Sequence, residues 1–139
     1  MKNLIRLAIL LSMILSACGS SSSPADAELA ILFNDGGCEL LKAPEGEIPN
    51  PVRIAMRNPT DRVYAVMVFT LQDGYDQTDL EAYTSPDLPF FVASFNHLDP
   101  EPKGDWLVVE LQLKPDIENY FVCVEEEKGL LSVPLALNP

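Results

Sequence analysis

The chain has 139 residues, of which 21 are acidic and nine are basic, so its formal net charge is −12 at pH 7. This length predicts one folded domain at most. An acidic surface is repelled by phosphate backbones, so we expect no nucleic acid among the partners.

The first 17 residues have the three parts of an export signal. Lys2 and Arg6 form a positive end, residues 7–15 form an apolar core, and two small residues precede Cys18. The apolar core is shorter than the roughly 20 residues that a transmembrane helix needs. Residues 1–17 are therefore predicted to be a signal peptide. Its removal leaves seven basic and 21 acidic groups, a net charge of −14.

The signal ends in Leu15-Ser16-Ala17-Cys18, which resembles the lipobox of bacterial lipoproteins. In that motif the cysteine thiol receives diacylglycerol and the cysteine becomes the new N-terminus. Stable retention takes more than one acyl chain, and lipoprotein modification supplies several, so we expect Cys18 to anchor the chain in the cell envelope. In Gram-negative lipoproteins, an aspartate directly after this cysteine favours retention at the inner membrane. Gly19 occupies that position here, so the outer membrane is the predicted location in a Gram-negative host. A secretory signal with an incidental cysteine is the alternative.

Residues 18–28 are predicted to form a flexible tether, because the stretch from Gly19 to Ala27 is small, polar and without periodicity. The folded domain is then predicted to span residues 29–139. It contains two further cysteines, Cys38 and Cys123, and in an oxidising compartment we expect them to form a disulfide. Two buried thiols or a functional role for one of them remain as alternatives.

Alternation of apolar residues and turn signals predicts seven or eight strands and no βαβ rhythm. The predicted strands lie at residues 29–33, 52–57, 64–71, 90–95, 106–113, 120–125 and 131–137. The run 64–71 is apolar almost throughout, which predicts a central strand covered on both sides. In the run 106–113, one face is predicted to carry Leu107, Val109, Leu111 and Leu113.

One segment breaks this pattern and predicts a short helix between Asp76 and Tyr83. Asp76 stands at the N-cap position, and Leu80 and Tyr83 are spaced to share one face. Calcium binding by the acids of residues 73–79 is an alternative, although their spacing does not fit an EF-hand. The predicted fold is an all-β antiparallel sandwich with one short helix.

Two segments resemble cupredoxins. The run from Leu113 to Cys123 is similar to the Leu-x-Pro-Gly-x-Tyr-x-Phe-x-Cys motif that leads into the last strand of that fold. The run from Val52 to Thr60 resembles the strand and asparagine that precede the first copper ligand. The resemblance implies a Greek-key sandwich and covers most of the mature chain.

The ligands of a blue-copper site are missing from both segments. Such a site needs two histidines and a cysteine, and the chain has one histidine, His97, outside both segments. Tyr64 stands where a histidine would be sought, Asp116 replaces the glycine of the motif, and neither histidine nor methionine follows Cys123. The spacing from Tyr120 to Cys123 is also one residue shorter than usual. We therefore expect no metal and no cofactor.

Catalysis by a Ser-His-Asp triad would require His97, and no Gly-x-Ser-x-Gly motif accompanies it. We therefore expect no enzymatic activity and interpret His97 as a loop residue. The segment after the predicted helix is rich in aromatic residues, which either cover one end of the sandwich or form a recognition surface. The predicted interaction residues are Tyr75, Tyr83, Phe90, Phe91 and Phe95.

Two functional hypotheses follow. The first is a lipid-anchored, non-catalytic module that binds an unknown protein or small molecule through the surface at residues 75–98. The second is a metal-handling cupredoxin relative with a residual, non-blue copper site.

Overall fold

The computed structural model describes residues 24–132 and 134–137. In that part of the chain, nine strands form two sheets and one short α-helix lies outside them. The strands are β1 (Leu29–Asn34), β2 (Gly37–Lys42), β3 (Val52–Arg57), β4 (Tyr64–Leu71), β5 (Val92–Leu98), β6 (Leu107–Leu111), β7 (Asn119–Glu125), β8 (Gly129–Leu130) and β9 (Leu135–Leu137), and the helix α1 is Gln77–Ala82. The predicted signal peptide, Cys18 and residues 19–23 of the predicted tether lie outside the described residues.

The first sheet has the strand order β2-β1-β3-β6, and the second has the order β5-β4-β7-β8, with β9 also paired to β7. The prediction of an all-β, two-sheet fold with one short helix is confirmed. The prediction that every pair is antiparallel is wrong at β1 and β3, which run parallel. A parallel pair needs a long crossover, and β2 with residues 43–51 provides it.

The main core lies between the two sheets. Side chains alternate between the two faces of a strand, so every second residue of each central strand points inward. Across this core the rings of Phe33 and Tyr64 stack with their centroids 4.9 Å apart, and the Tyr64 hydroxyl donates a hydrogen bond of 2.8 Å to the Asn34 carbonyl. The fully buried inward residues include Leu29, Ile31, Ile54, Met56 and Val66.

The predicted disulfide is confirmed. Cys38 on β2 and Cys123 on β7 are bonded, with their Cα atoms 6.4 Å apart and 85 residues apart in sequence. Both side chains belong to the core between the sheets, where Cys123 is fully buried. The bond therefore joins an edge strand of the first sheet to an interior strand of the second.

The predicted helix is also confirmed. The Asp76 carboxylate accepts a hydrogen bond of 2.7 Å from the Thr78 amide, and the Asp76 amide donates one of 2.9 Å to the Asp79 carboxylate. This reciprocal capping box satisfies backbone donors that the first turn leaves unpaired. Leu80 and Tyr83 pack into one cluster, as their spacing predicted. The capping role accounts for both carboxylates.

Several strands differ from the prediction, and the strand predicted at residues 106–113 is the shorter β6. The strand predicted at residues 90–95 is β5, which begins at Val92 because a turn closed by the Val92 amide and the Pro89 carbonyl precedes it. His97 therefore lies within a strand, and its interpretation as a loop residue is wrong. Of the strand predicted at residues 131–137, only Leu135–Leu137 is a strand, β9, and the short strand β8 lies before the predicted range. The hairpin partner β2 was not predicted.

Ordered contacts begin before the predicted domain boundary at residue 29. Pro24–Asp26 forms one 3-10 turn, and Ala27 is fully buried. The Glu28 carboxylate accepts a hydrogen bond of 2.6 Å from the Arg53 amide and forms an ion pair with the Arg53 guanidinium at 3.2 Å. The last residues assigned to the tether are thus packed against β3.

Candidate functional site

The outer face of the second sheet is apolar, although it points away from the core between the sheets. On β4, Val66 and Val68 point into that core, while Met67 and Phe69 point outward. The register with β7 places Val122 beside Met67 on the same outer face. The prediction of a central strand is confirmed, because β4 lies between β5 and β7, and its apolar outer face needs the cover that the same prediction implies.

The cover is supplied by α1 and the chain that follows it. Leu80, which is fully buried, and Phe91, which is 4% exposed, pack on Phe69 and Val122. These contacts form a second apolar cluster on the far side of the sheet, separate from the core between the sheets. The inserted segment is therefore a structural part of the domain.

The structure brings four of the five predicted interaction residues together. The ring of Phe91 stacks on Tyr75 with centroids 4.8 Å apart and meets Tyr83 edge-on at 5.8 Å. Phe90 packs edge-on against both Tyr75 and Phe91, and it is 73% exposed. Phe95 lies on β5 and makes no ring contact of this kind within the described residues. The aromatic segment thus combines a buried anchor with exposed rings.

The cover is smaller than the face beneath it, and a groove of about 390 Å³ remains beside it. Ala65 and Met67 of β4 line its floor together with Val124 of β7 and Leu130 of β8. Residues 85–89 of the cover form one wall. These floor residues were not predicted as a site, because the alternation along β4 and β7 shows an apolar outer face without showing how much of it is covered.

The cover passes close to the sheet at Gly129. This glycine has φ of +80°, and a Cβ atom there would lie 2.8 Å from the Cα atom of Pro86. Glycine is the residue that adopts such a backbone conformation without steric cost, and it also permits this close approach. Gly129 therefore determines where the wall of the groove meets β8.

The rim of the groove is acidic. It carries the carboxylates of Asp87, Asp99 and Glu126, and the single imidazole of His97. The Nε2 atom of His97 lies 3.1 Å from a carboxylate oxygen of Asp99. An apolar floor inside an acidic rim is complementary to a ligand that has an apolar body and a positive charge.

One end of the groove is held by an ion cluster. The Glu125 carboxylate lies 2.9 Å from the Lys128 ammonium and 3.2 Å from the Arg62 guanidinium. The hydrogen bond from Lys128, together with the charge of Arg62, lowers the pKa of Glu125 below its usual value. Glu125 is therefore ionised at neutral pH and fixes the turn between β7 and β8.

The donor set does not fit a blue-copper site. The sulfur of Cys123 is bonded to Cys38 on the inner side of the second sheet, whereas His97 is paired with Met67 on the outer side. Tyr64 is buried in the core between the sheets. Among the residues that the structure describes, no three of the types His, Cys, Asp and Glu converge as metal ligands.

The asparagine that follows β3, Asn58, has a structural role. Asn58 is fully buried after β3, its side-chain oxygen accepts hydrogen bonds from the amide and hydroxyl of Thr60, and its nitrogen donates to the Arg62 carbonyl. The turn that leads into β4 is thus organised around Asn58. Within residues 24–132 and 134–137, every buried side-chain oxygen or nitrogen has a hydrogen-bond partner.

Comparison of the chain with protein-family models, curated proteins and solved structures finds no match. In the described ranges, the structure contains no helix with the length and apolar character needed to cross a membrane.

Proposed function

We propose that the chain is a lipid-anchored, extracytoplasmic β-sandwich module that binds a ligand without transforming it. The groove on the second sheet carries this proposal, because a domain of this size has no structural need to leave part of an apolar face open. Its volume of about 390 Å³ lies within the range of small-ligand sites.

The proposed location rests on the sequence. An export signal followed by the lipobox-like residues Leu15-Ser16-Ala17-Cys18 supports lipidation at Cys18. Cell-envelope proteins form disulfides in an oxidising compartment, and the Cys38–Cys123 bond is in keeping with such a location. The membrane is then a partner through the lipid, and the groove is left for a separate ligand.

The proposed scaffold is cupredoxin-like with a Greek-key arrangement. Two sheets with the orders β2-β1-β3-β6 and β5-β4-β7-β8, and a late cysteine on an interior strand, support this relationship. Since Cys123 is used in the disulfide, we propose a binding function for this scaffold and no copper chemistry.

The chemistry of the groove suggests the class of ligand. The floor is built from Ala65, Met67, Val124 and Leu130, and the rim adds carboxylates. We therefore propose a ligand with an apolar body of a few side-chain volumes and a cationic group. Burial of the body provides affinity, and the acidic rim selects against anions.

Two probes of equal chain length test this proposal. Octyltrimethylammonium should bind the mature chain carrying Cys18→Ser and shift the NMR signals of the groove floor, whereas octyl sulfate should not. Ala65→Leu, which fills the floor, should weaken binding of the cation, and Ala93→Leu on exposed β5 is the matched control. Equal binding of both probes, or equal effects of both variants, contradicts the proposal.

A further inference from the structure

Strand β5 forms one edge of the second sheet. It is seven residues long, and in the described part of the chain it pairs with β4 and with no other strand. An edge strand presents a row of backbone N–H and C=O groups that another extended chain can bond. The hydroxyls of Thr70 and Ser94 lie 2.8 Å apart and hold β5 against β4, so this edge is a fixed template.

The composition of β5 differs from that of the other described edges. Natural sheets protect their edges with charged side chains, with proline or by shortness. Strand β2 carries Glu39 and Lys42, β6 carries Glu110, and β8 and β9 have two and three residues. Strand β5, with the sequence Val-Ala-Ser-Phe-Asn-His-Leu, has no acidic residue, lysine, arginine or proline and is seven residues long, although the chain contains 21 acidic residues. A register irregularity interrupts its pairing with β4 near Ala93, and the run from Ser94 to Leu98 is regular.

The side chains of β5 favour an apolar strand beside it. The register places Phe95 opposite Phe69 and His97 opposite Met67, so both face outward from the second sheet. Phe95 is 49% exposed at this open edge. An apolar residue of an added strand would pack against its ring, as cross-strand aromatic pairs do within sheets.

The charge around β5 indicates what kind of strand fits. Asp99 and Glu101 follow the strand directly, both exposed, and the mature chain carries a net charge of −14. A second copy of this chain would bring the same negative charge to the edge and be repelled. A segment with lysine or arginine is instead attracted.

We propose that β5 binds an extended segment of a partner protein in which apolar residues alternate with lysine or arginine. The backbone of the segment adds a strand to the second sheet, which provides affinity, and its apolar side chains contact Phe95, which provides selectivity. Its basic residues are attracted by the negative charge of the domain, to which Glu101 and Asp99 contribute at the end of β5. Asp99 also belongs to the rim of the groove, but the backbone pairing with β5 and the contact with Phe95 do not use the groove floor.

The test uses a peptide of alternating valine and lysine, as long as β5, added to the mature chain carrying Cys18→Ser. Binding is measured by titration calorimetry, and amide hydrogen exchange reports the protection of β5. We expect the peptide to bind and to protect amides of β5. The same peptide with alternate N-methylated amides, and one with glutamate for lysine, should both fail to bind.

Two variants, at positions whose side chains are equally exposed, test whether the peptide binds at β5. Phe95 on β5 and Leu41 on the edge strand β2 are both 49% exposed. Phe95→Lys should weaken peptide binding about tenfold through lost packing and like-charge repulsion, while Leu41→Lys should leave it within about twofold. The N-methylated peptide keeps the test decisive if Phe95→Lys unfolds the chain.

Three results would overturn the proposal. The N-methylated peptide could bind as well as its parent, which would leave only charge attraction. Leu41→Lys could weaken binding as much as Phe95→Lys, which would remove the specificity for β5. Finally, analytical ultracentrifugation could show a dimer of the mature chain that Phe95→Lys dissociates, which would assign the edge to a second copy. Ala65→Leu in the groove should leave peptide binding unchanged, so the two sites are tested separately.

Discussion

The outer faces of the two sheets differ in what they require from the rest of the chain. On its strand β3, the first sheet presents small and charged side chains outward, namely Ala55 flanked by Arg53 and Arg57. The second sheet presents Met67 and Phe69 at the corresponding positions of β4. A face of small and charged residues is stable next to water, whereas a face of large apolar residues has to be covered.

The covers differ accordingly. On the first sheet, Ala27 before β1 and the half-buried Trp106 close over the alanines. On the second sheet, a whole segment from Gln72 to Phe91 is inserted between β4 and β5 for the same purpose. The groove is the part of the apolar outer face that this inserted segment leaves uncovered.

The largest effect should come from the disulfide, which both sheets share. Reduction of the Cys38–Cys123 bond should lower the free energy of unfolding by about 4–5 kcal/mol, because it releases a loop of 85 residues in the unfolded chain. Urea unfolding with and without reductant measures this. The double variant Cys38→Ala with Cys123→Ala should reproduce it, and both sheets should lose hydrogen-exchange protection together. An unchanged unfolding midpoint would contradict the prediction.

The next largest effect on stability should distinguish the covered outer face of the second sheet from the exposed surface of the first. Leu80→Ala removes the fully buried anchor of the cover and should cost about 2–5 kcal/mol, the usual range for a buried leucine. Hydrogen exchange should increase first in the cover and along the outer face of the second sheet. Leu41→Ala on β2, whose leucine is 49% exposed, is the matched control and should cost less than about 0.5 kcal/mol. Equal losses would mean that the cover contributes no more than an exposed side chain.

A smaller effect is expected at the start of the cover. Asp76→Ala removes the cap of α1 and should cost about 1 kcal/mol, measured by urea unfolding. Asp73→Ala, at an exposed acid just before the helix, changes the net charge equally without removing the cap. If the two variants are equally destabilised, general charge effects and not capping determine the stability of this segment.

The smallest effect concerns how stability depends on pH through Glu125, at the end of the groove that the ion cluster holds. The pKa of Glu125 is lowered from its ordinary value of 4.5, first by the hydrogen bond from Lys128. The folded state therefore holds this carboxylate ionised more strongly than the unfolded state, so its contribution is present above pH 4.5 and is lost as the pH falls below that value. Lys128→Met should make this acid-induced loss shallower in unfolding measurements against pH. Lys114→Met, at an exposed lysine elsewhere, should leave the slope unchanged.

Local signals in the sequence predicted the helix, the disulfide partners and the central position of β4. The capping residue Asp76 and the apolar run from Tyr64 to Leu71 act through their near neighbours, so composition and spacing are sufficient. Strand β2 was missed because four of its six residues are exposed and its sequence lacks alternation. Its pairing with β1 depends on the tight turn at residues 35–36.

The groove depends on distances that no local pattern contains. Ala65 and Leu130 are far apart in sequence and meet on one face only after β4, β7 and β8 are assembled. How much of that face the chain between β4 and β5 covers depends on the path that this chain takes once it is folded. The sequence shows that a cover is needed, and only the assembled sheets show where it stops.

The disulfide also has a mechanical consequence if the chain is anchored at its N-terminus. A force applied at the anchor would be transmitted through β1 to Cys38 and through the disulfide to Cys123. The next residue, Val124, lies in the floor of the groove. This covalent path bypasses the 85-residue loop between the two cysteines. Tension between the membrane and a ligand held in the groove would therefore pass through a short, inextensible link, and the strands inside the loop would carry little of it.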